Sequence, residues 1–240
     1  MTTLRGAADI EHVVYINLAR RPDRRREVEA ELARIGWAGR AERFDAVNIP
    51  NNGALGCSMS HLAVLRMALA RGWNHVVVLE DDVEFTEPAR VVPQLDACLR
   101  LRAAGVAAGR EAPWQVLLLA GNNVRPVEHV DHTCCRTTRC HTTTAYLVAG
   151  AAFMRVLAQN IAEGATLLAR NPARKAQFAV DVHWFSLQRE FRWLLLLPLS
   201  VTQRAGHSDI EGRTLDYRRF MLTLDKSDPA CREWGAWWHA

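Results

Sequence analysis

Apolar and polar positions alternate in blocks along the chain. Residues 12–18 (HVVYINL) are apolar and rich in β-branched side chains, which predicts a strand. A polar break follows, and in residues 22–35 the apolar Val28, Leu32 and Ile35 recur at helical spacing, so a helix comes next. The same reading predicts strands near 44–47, 76–79, 115–119, 143–148 and 193–197, and helices over 58–70, 89–104, 151–168 and 180–190. Residues 103–113 (AAGVAAGREAP) and the polar stretch 129–141 read as loops. Strands alternating with helices imply an α/β fold, with a mostly parallel central sheet covered by helices on both faces. Ligands of such sheets sit at the carboxyl ends of the strands, so chemistry is sought there.

Composition narrows the picture. The chain has 240 residues, 49% of them hydrophobic and 23% charged, which suits one compact domain with a sizeable core and excludes a disordered, collagenous or coiled-coil chain. Of the 30 basic residues 28 are Arg, yet the net charge is only +4, too little to point to nucleic acid as a partner. No apolar run reaches the roughly 20 residues needed to cross a bilayer, and residues 1–11 lack the apolar segment of a secretory signal. The expectation is a cytoplasmic protein whose six cysteines are reduced thiols.

Three segments carry candidate chemistry. In residues 76–85 (VVVLEDDVEF) an apolar strand runs into Glu80, Asp81 and Asp82. Adjacent carboxylates repel. A divalent cation would offset that repulsion, and on an extended segment Glu80 and Asp82 point the same way. A solvated acidic turn is the plain alternative. In residues 15–26 (YINLARRPDRRR) arginines open a helix, where the helix dipole disfavours cations unless an anion is bound; Arg25 and Arg26 read as a solvated face. In residues 53–65 (GALGCSMSHLAVL) two glycines precede Ser58, Ser60 and His61, a pattern that lets a nucleotide approach closely but is weak alone.

Taken in order, INLARRPDRR, RFDAVN, GALGCSMSHLAVLRMAL, VVVLEDDVEF, TTTAYLV, VDVHWFSLQ and SDIEGR resemble glycosyltransferase family 25, the lipopolysaccharide-type enzymes that include the collagen galactosyltransferases. The resemblance spans residues 13–213. It implies a GT-A fold over residues 1–224, a Rossmann-like single domain. It also implies a UDP-hexose donor (galactose or glucose), a divalent Mn²⁺ or Mg²⁺ cofactor, and transfer to an acceptor hydroxyl with inversion. By that resemblance Asn17, Arg21 and Arg24 meet the nucleotide, and Asp45 meets the uracil or ribose. His61 lies across the nucleotide pocket, although a structural hydrogen bond would explain it equally. Glu80 and Asp82 stand where the family has its DxD-type metal element, with Asp81 touching sugar or ribose. Thr143, Thr144 and Tyr146 match a strand bordering the donor sugar, while sheet packing is the plain reading for Tyr146. Inversion needs a general base, and Asp181 is the candidate, with a helix N-cap as its alternative. His183 and Trp184 line the acceptor side or pack on the sheet. His207 is a candidate further metal ligand, in a loop with Gln203, Ser208 and Asp209 that orders over the donor.

Two features depart from the pattern. Residues 129–141 hold His129, His132, Cys134, Cys135, Cys140 and His141, enough ligands for a zinc site but without CxxC spacing. Residues 225–240 hold Trp234, Trp237 and Trp238, a tail suited to packing on the body or to a peripheral contact at the inner membrane. The acceptor stays open among glycan, lipid-linked, protein and small-molecule hydroxyls. The alternative to an enzyme is a non-catalytic sugar-nucleotide-binding module on the same scaffold.

Overall fold

A computed structural model describes residues 4–124, 127–208 and 210–226. Its strands in chain order are β1 (Val13–Asn17), β2 (Ala41–Asp45), β3 (His75–Glu80), β4 (Val83–Phe85), β5 (Val116–Leu118), β6 (Asn122–Asn123), β7 (Val127–His129), β8 (Cys134–Thr137), β9 (Cys140–His141), β10 (Ala145–Ala149), β11 (Trp193–Leu196), β12 (Val201–Gln203), β13 (Gly206–Ser208) and β14 (Arg213–Leu215). The helices are α1 (Pro22–Arg34), α2 (Gly53–Ala70), α3 (Pro88–Ala107), α4 (Ala151–Arg170), α5 (Lys175–Phe178), α6 (Val180–His183), α7 (Phe185–Glu190) and α8 (Arg218–Met221).

Eight strands form the central sheet in the order β2-β1-β3-β10-β5-β11-β8-β7. The pairings make β10 and β8 the two strands that run against the other six. Side-chain alternation builds a core on each face. From β1 and β3, Val13, Tyr15, Val77 and Leu79 join Val28, Leu32, Leu95 and Leu99 of α1 and α3. Val14, Ile16, Val76 and Val78 join Leu62, Leu65, Met154 and Leu157 of α2 and α4 on the other face. Residues 76–79 are all 0% exposed, and each such side chain contributes about 1.5–3 kcal/mol. The apolar run ending in three acids is therefore an interior strand of the sheet, buried on both faces.

The carboxyl ends of β1 and β3 lie side by side, Ile16 facing Glu80 in register. Because β10 is reversed, its amino end reaches the same edge, where the Glu80 N–H donates to the Thr144 carbonyl. Helix α2 starts at Gly53, five residues earlier than expected, because the Asn52 side chain caps it by accepting from the Leu55 N–H at 3.1 Å. By length and composition α2 reaches the apolarity of a membrane-crossing helix, but half of it is buried and it packs along α4.

Two expectations need correction. Residues 129–141 are not a loop: β8 pairs with β11, and Cys134, Cys135 and Cys140 are buried in the sheet layers. Residues 180–190 form two short helices rather than one, broken at Trp184, whose buried indole donates to the Cys140 carbonyl. Of the Trp-rich tail, residues 227–240 lie outside the described residues.

Candidate functional site

At the carboxyl edge of the sheet two clefts adjoin. The larger, about 610 Å³, is lined by Arg20, Arg21 and Arg24, by residues 46–51, and by Gly53, Gly56, His61, Glu80, Asp81 and Asp82. The smaller, about 320 Å³, is lined by Thr142, Thr143, Asp181, Phe185, Arg139 and Lys175, among others. Cys57, Glu80, Gln203, Ser208, Ile210 and Glu211 line both, so Glu80 stands at their junction.

The three consecutive acids part company. Asp81 Oδ2 accepts from Asn17 Nδ2 at 2.7 Å, and its Oδ1 from Arg24 NH1 at 3.0 Å. The same guanidinium nitrogen reaches Asp82 Oδ2 at 3.2 Å, and Gln203 Nε2 donates to that oxygen at 2.7 Å. Asp82 Oδ1 is buried without a hydrogen-bond partner. Burial, and then the charge of Glu80, pushes the Asp82 carboxyl up to about 7. Burial also raises Asp81, despite the help of Asn17 and Arg24. An orphaned oxygen in a crowded acidic pocket is the environment that a divalent cation relieves.

Glu80 turns to different partners. Its Oε1 accepts from Thr143 Oγ1 at 2.5 Å and lies 3.1 Å from His61 Nε2. Burial opposes its charge, but the hydrogen bonds from His61 and Thr143 hold its carboxyl below the usual range. An ionised Glu80 only accepts, so His61 carries its proton on Nε2, and Nδ1 then accepts from the Tyr146 hydroxyl at 2.9 Å. Tyr146 is thus both core and support for His61.

Asp181 sits in the first turn of α6, where Ala179 is the cap, so Asp181 is not the helix N-cap. Its Oδ2 accepts from the Thr142 N–H at 3.1 Å and lies 4.0 Å from His141 Nδ1. Thr142 adopts φ 72°, a conformation that costs a β-branched residue about 1–2 kcal/mol; its N–H is the group aimed at Asp181. Burial, with the negative charge of Glu80, raises the Asp181 carboxyl, the direction a general base at neutral pH requires.

The other expected site residues are placed as follows. Asn17 is buried, clipping Asp81 and the Arg21 carbonyl, and accepts from Arg43. Thr144 is buried and lines neither cleft. Asp45 is exposed and paired with Arg43 at 2.9 Å, one residue short of the cleft wall that starts at Ala46. Arg21 lines the larger cleft with its side chain on Asp23. His207 is exposed, and its carbonyl, not its ring, is engaged, by Arg24 NH2 at 2.8 Å. Glu80, Asp82 and His207 are therefore not gathered as a ligand triad; among the described residues the groups with converging ligand atoms are Cys57, His61 and Glu80. The cysteines and histidines of 129–141 form no such group among the described residues. His183 and Trp184 line neither cleft: His183 packs against Gly164 and Trp184 against Tyr146 and Trp193. Phe185 and Val182 line the smaller cleft in their place. Asp209 lies outside the described residues.

Sequence reasoning missed Cys57, although its spacing of four from His61 puts both on one helix face. It also missed the ion pair of Lys175 Nζ with Glu211 Oε1 at 2.8 Å, which joins α5 to the turn between β13 and β14 over the smaller cleft.

Residues 51–99, which hold α2, β3 and the three acids, match the model of glycosyltransferase family 25, described as an LPS biosynthesis protein. An alignment 145 positions long, covering 49% of this chain and 23% of the relative, is 28% identical to a Bos taurus protein named probable inactive glycosyltransferase 25 family member 3. The chain thus spans about a quarter of that relative's length. Among solved structures, a glycosyltransferase involved in glycosylation of the major capsid of PBCV-1 aligns at TM-score 0.43 and 7% identity, covering 77% of this chain and 79% of that one. A mannose-1-phosphate geranyltransferase from Thermus thermophilus aligns at TM-score 0.41 and 13% identity, over 78% and 73%. The two sequence matches, the first centred on the acids and on the helix that carries His61, support assignment of the chain to glycosyltransferase family 25.

Proposed function

We propose that the protein is an inverting, metal-dependent glycosyltransferase that moves galactose or glucose from a UDP-sugar to an acceptor hydroxyl, in the building of lipopolysaccharide or another glycan. The observation that carries this reading is the pair of clefts meeting at Glu80, one lined by arginines and acids, the other by Asp181. Arg20, Arg21 and Arg24 suit the diphosphate. The apolar Ile16, Ala46, Val47 and Ile49 of the same cleft suit a planar base. Asp82, with its unpartnered oxygen, and Glu80 are the residues that would hold Mn²⁺ or Mg²⁺, whose charge offsets that of the departing diphosphate.

In the reaction the acceptor oxygen forms its bond to the anomeric carbon as the bond from that carbon to the phosphate oxygen breaks. UDP leaves with the electron pair, and the acceptor proton passes to Asp181. The Thr142 N–H orients the carboxylate for this role. Ser208, Ile210 and Glu211 border both clefts and exclude water, which would compete as acceptor. A second reading, a non-catalytic sugar-nucleotide-binding module, is favoured by the name of the bovine relative.

Asp181→Asn separates the two readings. It is expected to leave UDP-sugar binding within a factor of about two and to lower transfer by roughly 10²–10⁴-fold. Transfer at the wild-type rate removes Asp181 as the base, and wild-type protein that binds donor but never turns over favours the binding module.

A further inference from the structure

The junction of the two clefts carries a thiol that the transfer reaction does not use. Cys57 lies one turn before His61 on α2, and its Sγ is 3.7 Å from Glu80 Oε1. His61 Nε2 is 3.1 Å from the same oxygen. One ligand atom from each of Cys57, His61 and Glu80 falls within 4.8 Å of the others. Sulfur, imidazole and carboxylate together are a borderline-soft donor set, which suits Zn²⁺ and not the hard Mg²⁺. Three protein ligands leave a fourth tetrahedral position, and Cys57 and Glu80 both line the two clefts.

The outer groups fit as well. Thr143 Oγ1 fixes Glu80 at 2.5 Å, and the Tyr146 hydroxyl fixes the His61 ring at 2.9 Å, the kind of support that orients metal ligands. Coordination through Nε2 moves the imidazole proton to Nδ1. Tyr146 then accepts where it had donated, and its hydroxyl can do both. The one proton released to solvent comes from the Cys57 thiol.

We propose that Cys57, His61 and Glu80 form a binding site for Zn²⁺ that shares Glu80 with the hard-cation position at Asp82, and that an ion bound there stands in the passage between the two clefts. A thiophilic ion would act on this protein as an inhibitor, by claiming Glu80 and closing the junction.

The test uses the full chain stripped with EDTA and needs neither donor nor acceptor, so its failure and that of the transferase reading are separate events. Zn²⁺ is titrated in competition with a chromophoric chelator, and Co²⁺ is added separately as a spectroscopic probe. The wild type is expected to bind one Zn²⁺ and to give a thiolate-to-cobalt charge-transfer band. Cys57→Ser is expected to weaken Zn²⁺ binding at least tenfold and to abolish the band. On wild-type protein, Zn²⁺ is expected to slow alkylation of Cys57 by iodoacetamide at least fivefold, read by peptide mass mapping, which needs no variant to fold. Absence of Zn²⁺ binding, an unchanged affinity and band in Cys57→Ser, or an unchanged alkylation rate at Cys57 would each overturn the site.

Discussion

In the larger cleft Asp81 and Asp82 are held by Arg24, Asn17 and Gln203, whereas in the smaller cleft Asp181 meets the Thr142 N–H and, at 4.0 Å, the His141 ring. The first arrangement places a resident cation where a ligand's charges would come. Arg24 must share or release its carboxylates when a metal or diphosphate arrives. The second leaves a carboxylate oriented by one backbone donor and raised by burial, ready to take a proton. On the proposed reading, Asp81 and Asp82 are paired with a cation before any ligand arrives, whereas Asp181 is held by a backbone N–H.

Removing the resident cation is the strongest way to break this contrast. Arg24→Gln leaves two nearly buried carboxylates facing each other, because Asp81 and Asp82 are 8% and 6% exposed. It is expected to lower stability by about 3 kcal/mol in urea denaturation, with part of the loss restored by Mn²⁺. An unchanged midpoint would mean that the acids are already neutralised by solvent.

The smaller cleft is probed by pH. Burial, and then Arg139, holds His141 at about 3 against 6.5 for the free residue. Its folded pKa lies below its unfolded one, so the stability tied to neutral His141 is fully present above 6.5 and is lost as pH falls from 6.5 toward 3. The loss is at most about 1.4 kcal/mol per pH unit. Urea midpoints taken at about pH 7 and about pH 5 are expected to differ less in His141→Asn than in wild type; equal slopes would show that His141 is protonated in the fold.

The smallest effect sharpens the wall of the larger cleft. A Cβ at Gly56 would lie 2.6 Å from the Val47 carbonyl oxygen, and Ser60 Oγ ties Val47 N–H to the Gly56 carbonyl. Gly56→Ala is expected to displace residues 46–51, to cost about 1 kcal/mol, and to weaken UDP binding several-fold without altering the surroundings of Asp181. Calorimetry on the variant checks this.

The parts of this arrangement that were legible in the sequence are those set by local pattern. Strands β1 and β3 follow from their apolar runs, and the three acids at the end of β3 announce the edge where both clefts lie. The region 129–141 was not legible, because its strands are short and carry polar groups satisfied only by distant partners. Arg102, 2% exposed, reaches across from α3 to Asp131 and to Cys134 Sγ. The division of labour among the acids was hidden for a related reason. Spacing of two on an extended segment suggested that Glu80 and Asp82 act together, but Glu80 ends β3 while Asp82 lies beyond it, so His61 and Thr143 capture the first and Arg24 and Gln203 the second. Asp45, expected inside a strand over 44–47, instead ends β2 and is exposed, paired with Arg43, since apolar pattern alone did not fix where that short strand stops.

The central claim is that the larger cleft is a metal-assisted site for a uridine diphosphate sugar. The most direct measurement is calorimetric titration of EDTA-stripped protein with UDP-galactose, UDP-glucose and UDP, each with and without Mn²⁺. The account predicts binding that requires Mn²⁺ and that distinguishes the two sugars. Absence of binding to all three, with or without Mn²⁺, would contradict it.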